Sequence, residues 1–215
     1  GKPLKGRWRD AEGLTLRHGA NGVGGDTRLL VSFEQHPRLV AYGPQGKFLE
    51  ALALSPELAK VENYRGPNNA LETLVLHPQW GLITAPELPL RSDSEGQISL
   101  VGAGDRRWRY PLADRRGSAL VAAETMDNGN LLIMERAWVS VWIPLVISFS
   151  EVALKDEGAL VVHRRIPLDA GEGWRLDNFE GLARHRENRF FMVSDDNGSE
   201  MQRTLLAYFL LGPLP

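Results

Sequence analysis

A short phrase recurs along this chain and limits what it can fold into. Asp10-Ala11-Glu12-Gly13-Leu14 is followed by Ala70-Leu71-Glu72-Thr73-Leu74 and by Asn178-Phe179-Glu180-Gly181-Leu182. Each copy leads to a second apolar run that also closes on an acid: Val31-Ser32-Phe33-Glu34, Ile83-Thr84-Ala85-Pro86-Glu87 and Met192-Val193-Ser194-Asp195-Asp196. A weaker copy lies between them, with Val121-Ala122-Ala123-Glu124 leading to Leu131-Leu132-Ile133-Met134-Glu135. The interval is roughly 50 to 60 residues, the length of one supersecondary unit, so the chain reads as a tandem repeat.

Within each unit, apolar and β-branched runs alternate with Gly, Pro, Asn and Asp clusters, the pattern of short antiparallel strands. The first repeat predicts strands at 12–17, 28–34, 38–43 and 47–53, and the second at 70–75, 81–86, 97–101 and 107–112. The third predicts 119–124, 130–135, a run near 141–153 and 159–166, with Asp127-Asn128-Gly129-Asn130 supplying hairpin-turn chemistry. The fourth supplies 178–183, 189–194 and 204–211 and lacks an outer strand. One short helical turn is expected where Ser55 precedes Pro56 and Glu57-Leu58-Ala59-Lys60.

Tandem four-stranded units predict an all-β fold: a β-propeller built from about four four-stranded repeats, or a section of a larger ring lacking its N-terminal blade or blades. The repeats fall at about 10–66, 67–117, 118–176 and 177–215 of a single domain, 1–215. A β-sandwich is the alternative, but it does not require the same acid at the same place in each unit.

Composition closes off several function classes. A net charge of −2, from 25 basic and 27 acidic residues, provides no drive toward nucleic acid or an anionic membrane. Without cysteine there is neither a disulfide framework nor a thiolate metal site. No apolar run reaches the ~18 residues of a membrane span, since Ala137 to Phe149 is interrupted by Pro144. The chain begins Gly1-Lys2-Pro3 without a signal-peptide pattern, so an exported native protein would carry that segment elsewhere.

The repeated acids carry the chemistry. In a propeller the innermost strands surround one axis, so Glu12, Glu72 and Glu180 are expected to converge, with Glu124 a looser fourth member. Glu34, Glu87, Glu135 and Asp195 or Asp196 are expected near the channel ends or inter-blade loops. Crowded carboxylates need a cation or hydrogen-bond donors to offset their repulsion. Hard oxygen ligands suit Ca²⁺; the five scattered histidines, His18, His36, His77, His163 and His185, argue against zinc. The metal set read here is Glu12, Glu34, Glu72, Glu135, Glu180, Asp195 and Asp196. The structural alternative is that such acids accept backbone N–H groups from the next repeat and lock repeat to repeat. Asp195-Asp196-Asn197-Gly198 also reads as a polar turn. Arg136 either orients an anionic substrate or pairs with a carboxylate. Gly22-Val23-Gly24-Gly25-Asp26 invites a phosphate-loop reading, but no helix follows it and a hairpin loop is the better one.

Asp10-Ala11-Glu12-Gly13-Leu14 with Phe33-Glu34, Asn69-Ala70-Leu71-Glu72, Leu132-Ile133-Met134-Glu135-Arg136, and above all Asp177-Asn178-Phe179-Glu180-Gly181-Leu182 with Val193-Ser194-Asp195-Asp196-Asn197 and Gln202-Arg203-Thr204-Leu205-Leu206 resemble the phytase-like family, also described as having esterase-like activity. The resemblance implies a longer, exported bacterial protein, periplasmic or secreted. The chemistry expected at the acids is metal-assisted hydrolysis of a small-molecule phosphate or carboxylic ester, with suspected Ca²⁺ as cofactor. Glu180, Asp195 and Arg136 are the candidate catalytic residues, the first two for metal and water and the third as phosphate clamp. The alternative function is a non-catalytic binding or scaffolding propeller. Self-association is expected if the ring is incomplete.

Overall fold

The computed structural model describes residues 6–18, 26–66 and 68–212, the side chain of Arg7 excepted. The Gly22–Gly25 loop reading falls outside the described residues. The chain divides into two units, residues 1–110 and 111–215.

The first unit holds two up-and-down sheets. One is made of β1 (Ala11–Arg17), β2 (Arg28–Phe33), β3 (Arg38–Tyr42) and β4 (Phe48–Leu52), and the other of β5 (Thr73–His77), β6 (Gly81–Ala85), β7 (Gln97–Val101) and β8 (Arg107–Pro111). The second unit holds the sheet β9 (Ser118–Thr125), β10 (Leu131–Ala137), β11 (Val146–Leu154) and β12 (Leu160–Asp169). It also holds the three-stranded sheet β13 (Phe179–Arg186), β14 (Arg189–Ser194) and β15 (Leu206–Leu210). The chain is thus all-β and of the β-propeller class, and among the described residues its last sheet has the three strands its sequence predicts.

The third strand prediction of the third repeat shifts. The 141–153 run does not start as strand: β11 begins at Val146, and Val141, Trp142 and Ile143 stand exposed before Pro144. Proline cannot donate to a ladder, so the strand starts only beyond it. The turn after Ser55 is one helical turn, closed by Ala59 N–H to the Ser55 carbonyl at 2.9 Å, and Val61–Asn63 add a 3₁₀ turn.

The glycine in the repeated phrase has a steric cause. A Cβ on Gly13 would lie 2.5 Å from Ser32 Oγ and 2.9 Å from the backbone nitrogen of Leu74. One on Gly181 would lie 2.4 Å from Val193 Cγ1. Both glycines sit where the first strand slips register against the second, between Ala11 and Leu14 and between Phe179 and Gly181. The Glu-Gly-Leu phrase therefore encodes a β-bulge with no room for a side chain at its glycine.

Each unit has its own core. In the first, Leu30, Leu39, Leu58, Leu71, Leu74 and Leu90 form one buried cluster, while Trp108 and Tyr110 are fully buried on β8. In the second, Phe149, Phe179, Phe190, Met134 and Ile147 do the same, with Phe149 and Phe190 packed on Phe209. Burying one such side chain is worth about 1.5–3 kcal/mol. Ser32 links the two sheets of the first unit: its hydroxyl accepts from Gly13 N–H at 2.9 Å and donates to the Leu71 carbonyl at 2.7 Å.

Candidate metal centre

The geometry gathers three acids on the first sheet. The β1–β2 pairing sets Ala11 opposite Phe33, and Glu34 N–H donates to the Asp10 carbonyl at 3.0 Å. Asp10 and Glu12, two residues apart, share one face of the extended chain, and Glu34 is the cross-strand neighbour of Asp10. Oxygen atoms of Asp10, Glu12 and Glu34 all lie within 4.8 Å of one another. Their environments differ: Glu34 is buried, Asp10 half-buried and Glu12 exposed. Glu34 is held from the second sheet, since its Oε1 accepts Ala70 N–H at 3.2 Å.

This donor set fits a hard cation. With Ca²⁺–oxygen bonds of 2.3–2.6 Å, two ligands on one ion lie at most about 5 Å apart. Three carboxylates offer oxygen only, and their mutual repulsion is what a divalent ion relieves.

The matching position in the other sheets is marked by the same backbone bond. Glu87 N–H donates to the Ala70 carbonyl at 2.9 Å, and Asp195 N–H to the Asn178 carbonyl at 3.0 Å. Asp10, Glu12 and Glu34 therefore correspond to Ala70, Glu72 and Glu87 in the second sheet and to Asn178, Glu180 and Asp195 in the last. In the second sheet, the Asn69 amide donates to Glu87 Oε2 at 2.7 Å. In the last, Arg136 Nη1 donates to Glu180 Oε1 at 2.6 Å and also to Asn178 Oδ1, while Asn178 Nδ2 donates to Glu180 Oε1 at 2.8 Å. A guanidinium thus sits between the residues equivalent to Asp10 and Glu12. Of the two readings of Arg136, the geometry carries the pairing.

The third sheet departs from the pattern. There the marking bond runs from Trp138 N–H to the Gly117 carbonyl at 3.3 Å, so neither acid of the weaker copy occupies the repeat position. Glu124 pairs with Leu132 near the far end of β9, beside the Asn128-Gly129 turn, which corrects its expected place with Glu12, Glu72 and Glu180. Burial raises its pKa, against the lowering effect of the Thr125 and Arg184 N–H groups. Glu135 is fully buried; its Oε2 accepts Ala113 N–H at 2.7 Å and the Ser118 hydroxyl at 2.9 Å, and its Oε1 lies 3.4 Å from Arg165. Those donors tie Glu135 to its own sheet and to the segment that leads into β9.

The remaining candidates fall in turns. Asp195 Oδ1 accepts Asn197 N–H at 3.1 Å. Asp196 accepts Gly198 N–H at 2.9 Å and the Thr204 hydroxyl at 3.0 Å, and these bonds hold its pKa below the usual aspartate value. Asn197 and Gly198 both adopt positive φ, as a tight polar turn demands. Asp10 was absent from the metal set read from the repeats. Its spacing two residues before Glu12 is the signal that finds it.

Residues 1–198 match the model of a family described as "Phytase-like: Esterase-like activity of phytase". The chain belongs to the phytase-like family. Comparison with curated proteins gave no match. Family membership agrees with the propeller class and with a hydrolase. Among the described residues of this phytase-like chain, no helix is long and apolar enough to cross a membrane.

Proposed function

We propose that this phytase-like chain is a metal-assisted hydrolase of phosphate esters, with carboxylic esters as the neighbouring substrate class, and that Asp10, Glu12 and Glu34 hold the cation. The observation that carries this reading is the convergence of those three carboxylates within 4.8 Å in a member of an esterase-like family. Calcium is the ion the donor set suits best. A hard cation held there supplies Lewis acidity, offsetting negative charge on the ester oxygens. Glu34, anchored by Ala70 N–H, gives the site its fixed edge. Glu12 faces solvent and is the member whose carboxylate oxygen can take a proton from an attacking water. Glu72, Glu180, Asp195 and Asp196 belong to related but separately partnered positions, and Arg136 neutralises Glu180 instead of clamping phosphate. A periplasmic or secreted location goes with the same reading.

A second reading has its own support. Glu34 accepts the backbone N–H of Ala70, in the segment that leads into the second sheet, the bonding of an acid that locks one repeat to the next. A thermal melt with Ca²⁺ and with chelator, beside a screen of phosphate and carboxylic esters, separates the two. Hydrolysis predicts a Ca²⁺-dependent rise in Tm and turnover abolished by chelator. Indifference to both, with no turnover, selects the binding propeller.

A further inference from the structure

The first unit contains a cavity of about 290 Å³ that the carboxylate chemistry does not use. Its walls come from both sheets: Leu39 of β3, Leu82 of β6, Val101 of β7 and Leu58 from the turn after β4. Leu39, Leu58 and Val101 are themselves buried, so the walls belong to the unit's core. Its rim is small, formed by Ala53 and by the β7–β8 turn, where Gly104 and Asp105 both adopt positive φ.

Among the buried side chains of this lining, the Ser55 hydroxyl has hydrogen-bonding capacity to spare, and the exposed Asp105 carboxylate at the rim offers acceptors only. Ser55 is 9% exposed, and its hydroxyl accepts a long 3.4 Å bond from Arg107, which leaves its proton to give. The Thr84 hydroxyl, by contrast, has already donated to the Thr73 carbonyl at 2.8 Å. A largely apolar pocket whose buried side-chain donor is one hydroxyl suits a molecule that is mostly hydrocarbon and carries one acceptor. Its volume is about twice that of a 150 Å³ apolar cavity that accepts six-carbon benzene, so it has room for an occupant of up to roughly twelve heavy atoms.

We propose that this cavity is a binding site for a small aliphatic molecule bearing one carbonyl or ether oxygen, with Ser55 donating to that oxygen. The site is independent of the cation reading, because none of Asp10, Glu12 or Glu34 lines it. Arg107, the other partner of Ser55, is occupied by its ion pair with Glu57, so the site does not select for an anion.

The probe is octanone, titrated into ¹⁵N-labelled protein and followed by amide shifts. Saturable shifts at Gly102, Ala103 and Gly104 are expected, with Kd on the order of 0.1–1 mM for so few atoms. Ala53→Phe fills the chamber from its exposed rim without touching the core and should abolish the shifts. Ser55→Ala should weaken octanone about tenfold and leave octane binding unchanged. Absence of saturable shifts at these amides overturns the proposal, as does unaltered binding in a folded Ala53→Phe protein. Equal weakening of octanone and octane by Ser55→Ala overturns the role given to Ser55.

Discussion

Arg136 and Glu180 form an ion pair of 2.6 Å at the place in the last sheet that corresponds to Glu12 in the first. Asn178, which stands where the first sheet has Asp10, shares the same guanidinium. One sheet thus presents three acids within reach of a single ion. The other presents two acids, Glu180 and Asp195, one amide, Asn178, and a guanidinium bonded to Glu180 and Asn178. The repeat has kept the backbone geometry and set an amide where the first sheet has Asp10, so the gathering of three carboxylates directs the cation proposal to Asp10, Glu12 and Glu34.

The exposed member of the trio gives the cleanest test of that assignment. Glu12→Gln should leave the metal-free Tm within about 1–2 °C of wild type, because an exposed surface change costs at most ~0.5 kcal/mol. The same change should remove most of the Ca²⁺-dependent rise. Differential scanning calorimetry with and without Ca²⁺ measures both, and a full Ca²⁺ shift in the variant would reject Glu12 as a ligand.

Arg136→Ala should behave in the opposite way. Loss of its charge-assisted bonds to Glu180 and Asn178 should cost about 1–3 kcal/mol at neutral pH. The Ca²⁺ response should survive, since the guanidinium serves the last sheet. Urea unfolding of the variant, repeated with Ca²⁺, reads both quantities.

Gly117 and Gly129 share a left-handed backbone but differ in surroundings. A Cβ at Gly117 would meet the Trp138 carbonyl oxygen at 2.3 Å, whereas one at Gly129 meets nothing within 4 Å. Gly129→Ala should cost about 1 kcal/mol from its positive φ alone, and Gly117→Ala about 3 kcal/mol or more. Equal midpoints in denaturant for the two variants would contradict the close approach of Gly117 to β10.

Two acids of the third sheet should titrate with opposite signs. Glu151 is buried, yet despite the desolvation that raises its pKa, Asn130, Asn128 and Arg164 together hold it below the ordinary value. A depressed folded pKa contributes stability above the unfolded value of about 4.3, lost as pH falls through the folded value. Glu151→Gln should therefore cost about 3 kcal/mol at pH 7, by removing the carboxylate that balances the Arg164 charge, and less in acid. Burial raises the pKa of Glu124, so its contribution is fully present below the unfolded value and is lost as pH rises through the folded one. Relative to Glu124→Gln, wild type should gain stability as pH falls from 7 toward 4. Tm measured across that range for both variants checks the two signs.

Much of the architecture was legible beforehand, because a repeat copies local signals. Strand runs, turn residues and the three-stranded form of the last sheet all follow from short-range patterning, which a period of roughly 50 to 60 residues lets one read four times. Glu124 misled for the same reason. A Val-Ala-Ala-Glu run resembles the repeated phrase, but register depends on pairing with β10, and that pairing carries the acid to the far end of the strand. Pro144 likewise announced a break within the 141–153 run, while the start of β11 at Val146 depends on the ladder it makes with β10 and β12.

By itself, the amino-acid order determined the repeat, the all-β class and the stock of acids that could serve a site, since these depend on residue type and spacing along the chain. Only the tertiary structure decided which acids share a centre and which are already committed. Cross-strand register joined Asp10 and Glu12 to Glu34, across more than twenty residues of chain. Donors distant in sequence claimed the others: Arg136 for Glu180, and Ala113 and Ser118 for Glu135. Electrostatic partnership acts over a few ångströms of space, and spacing along the chain does not report those distances until the strands have paired.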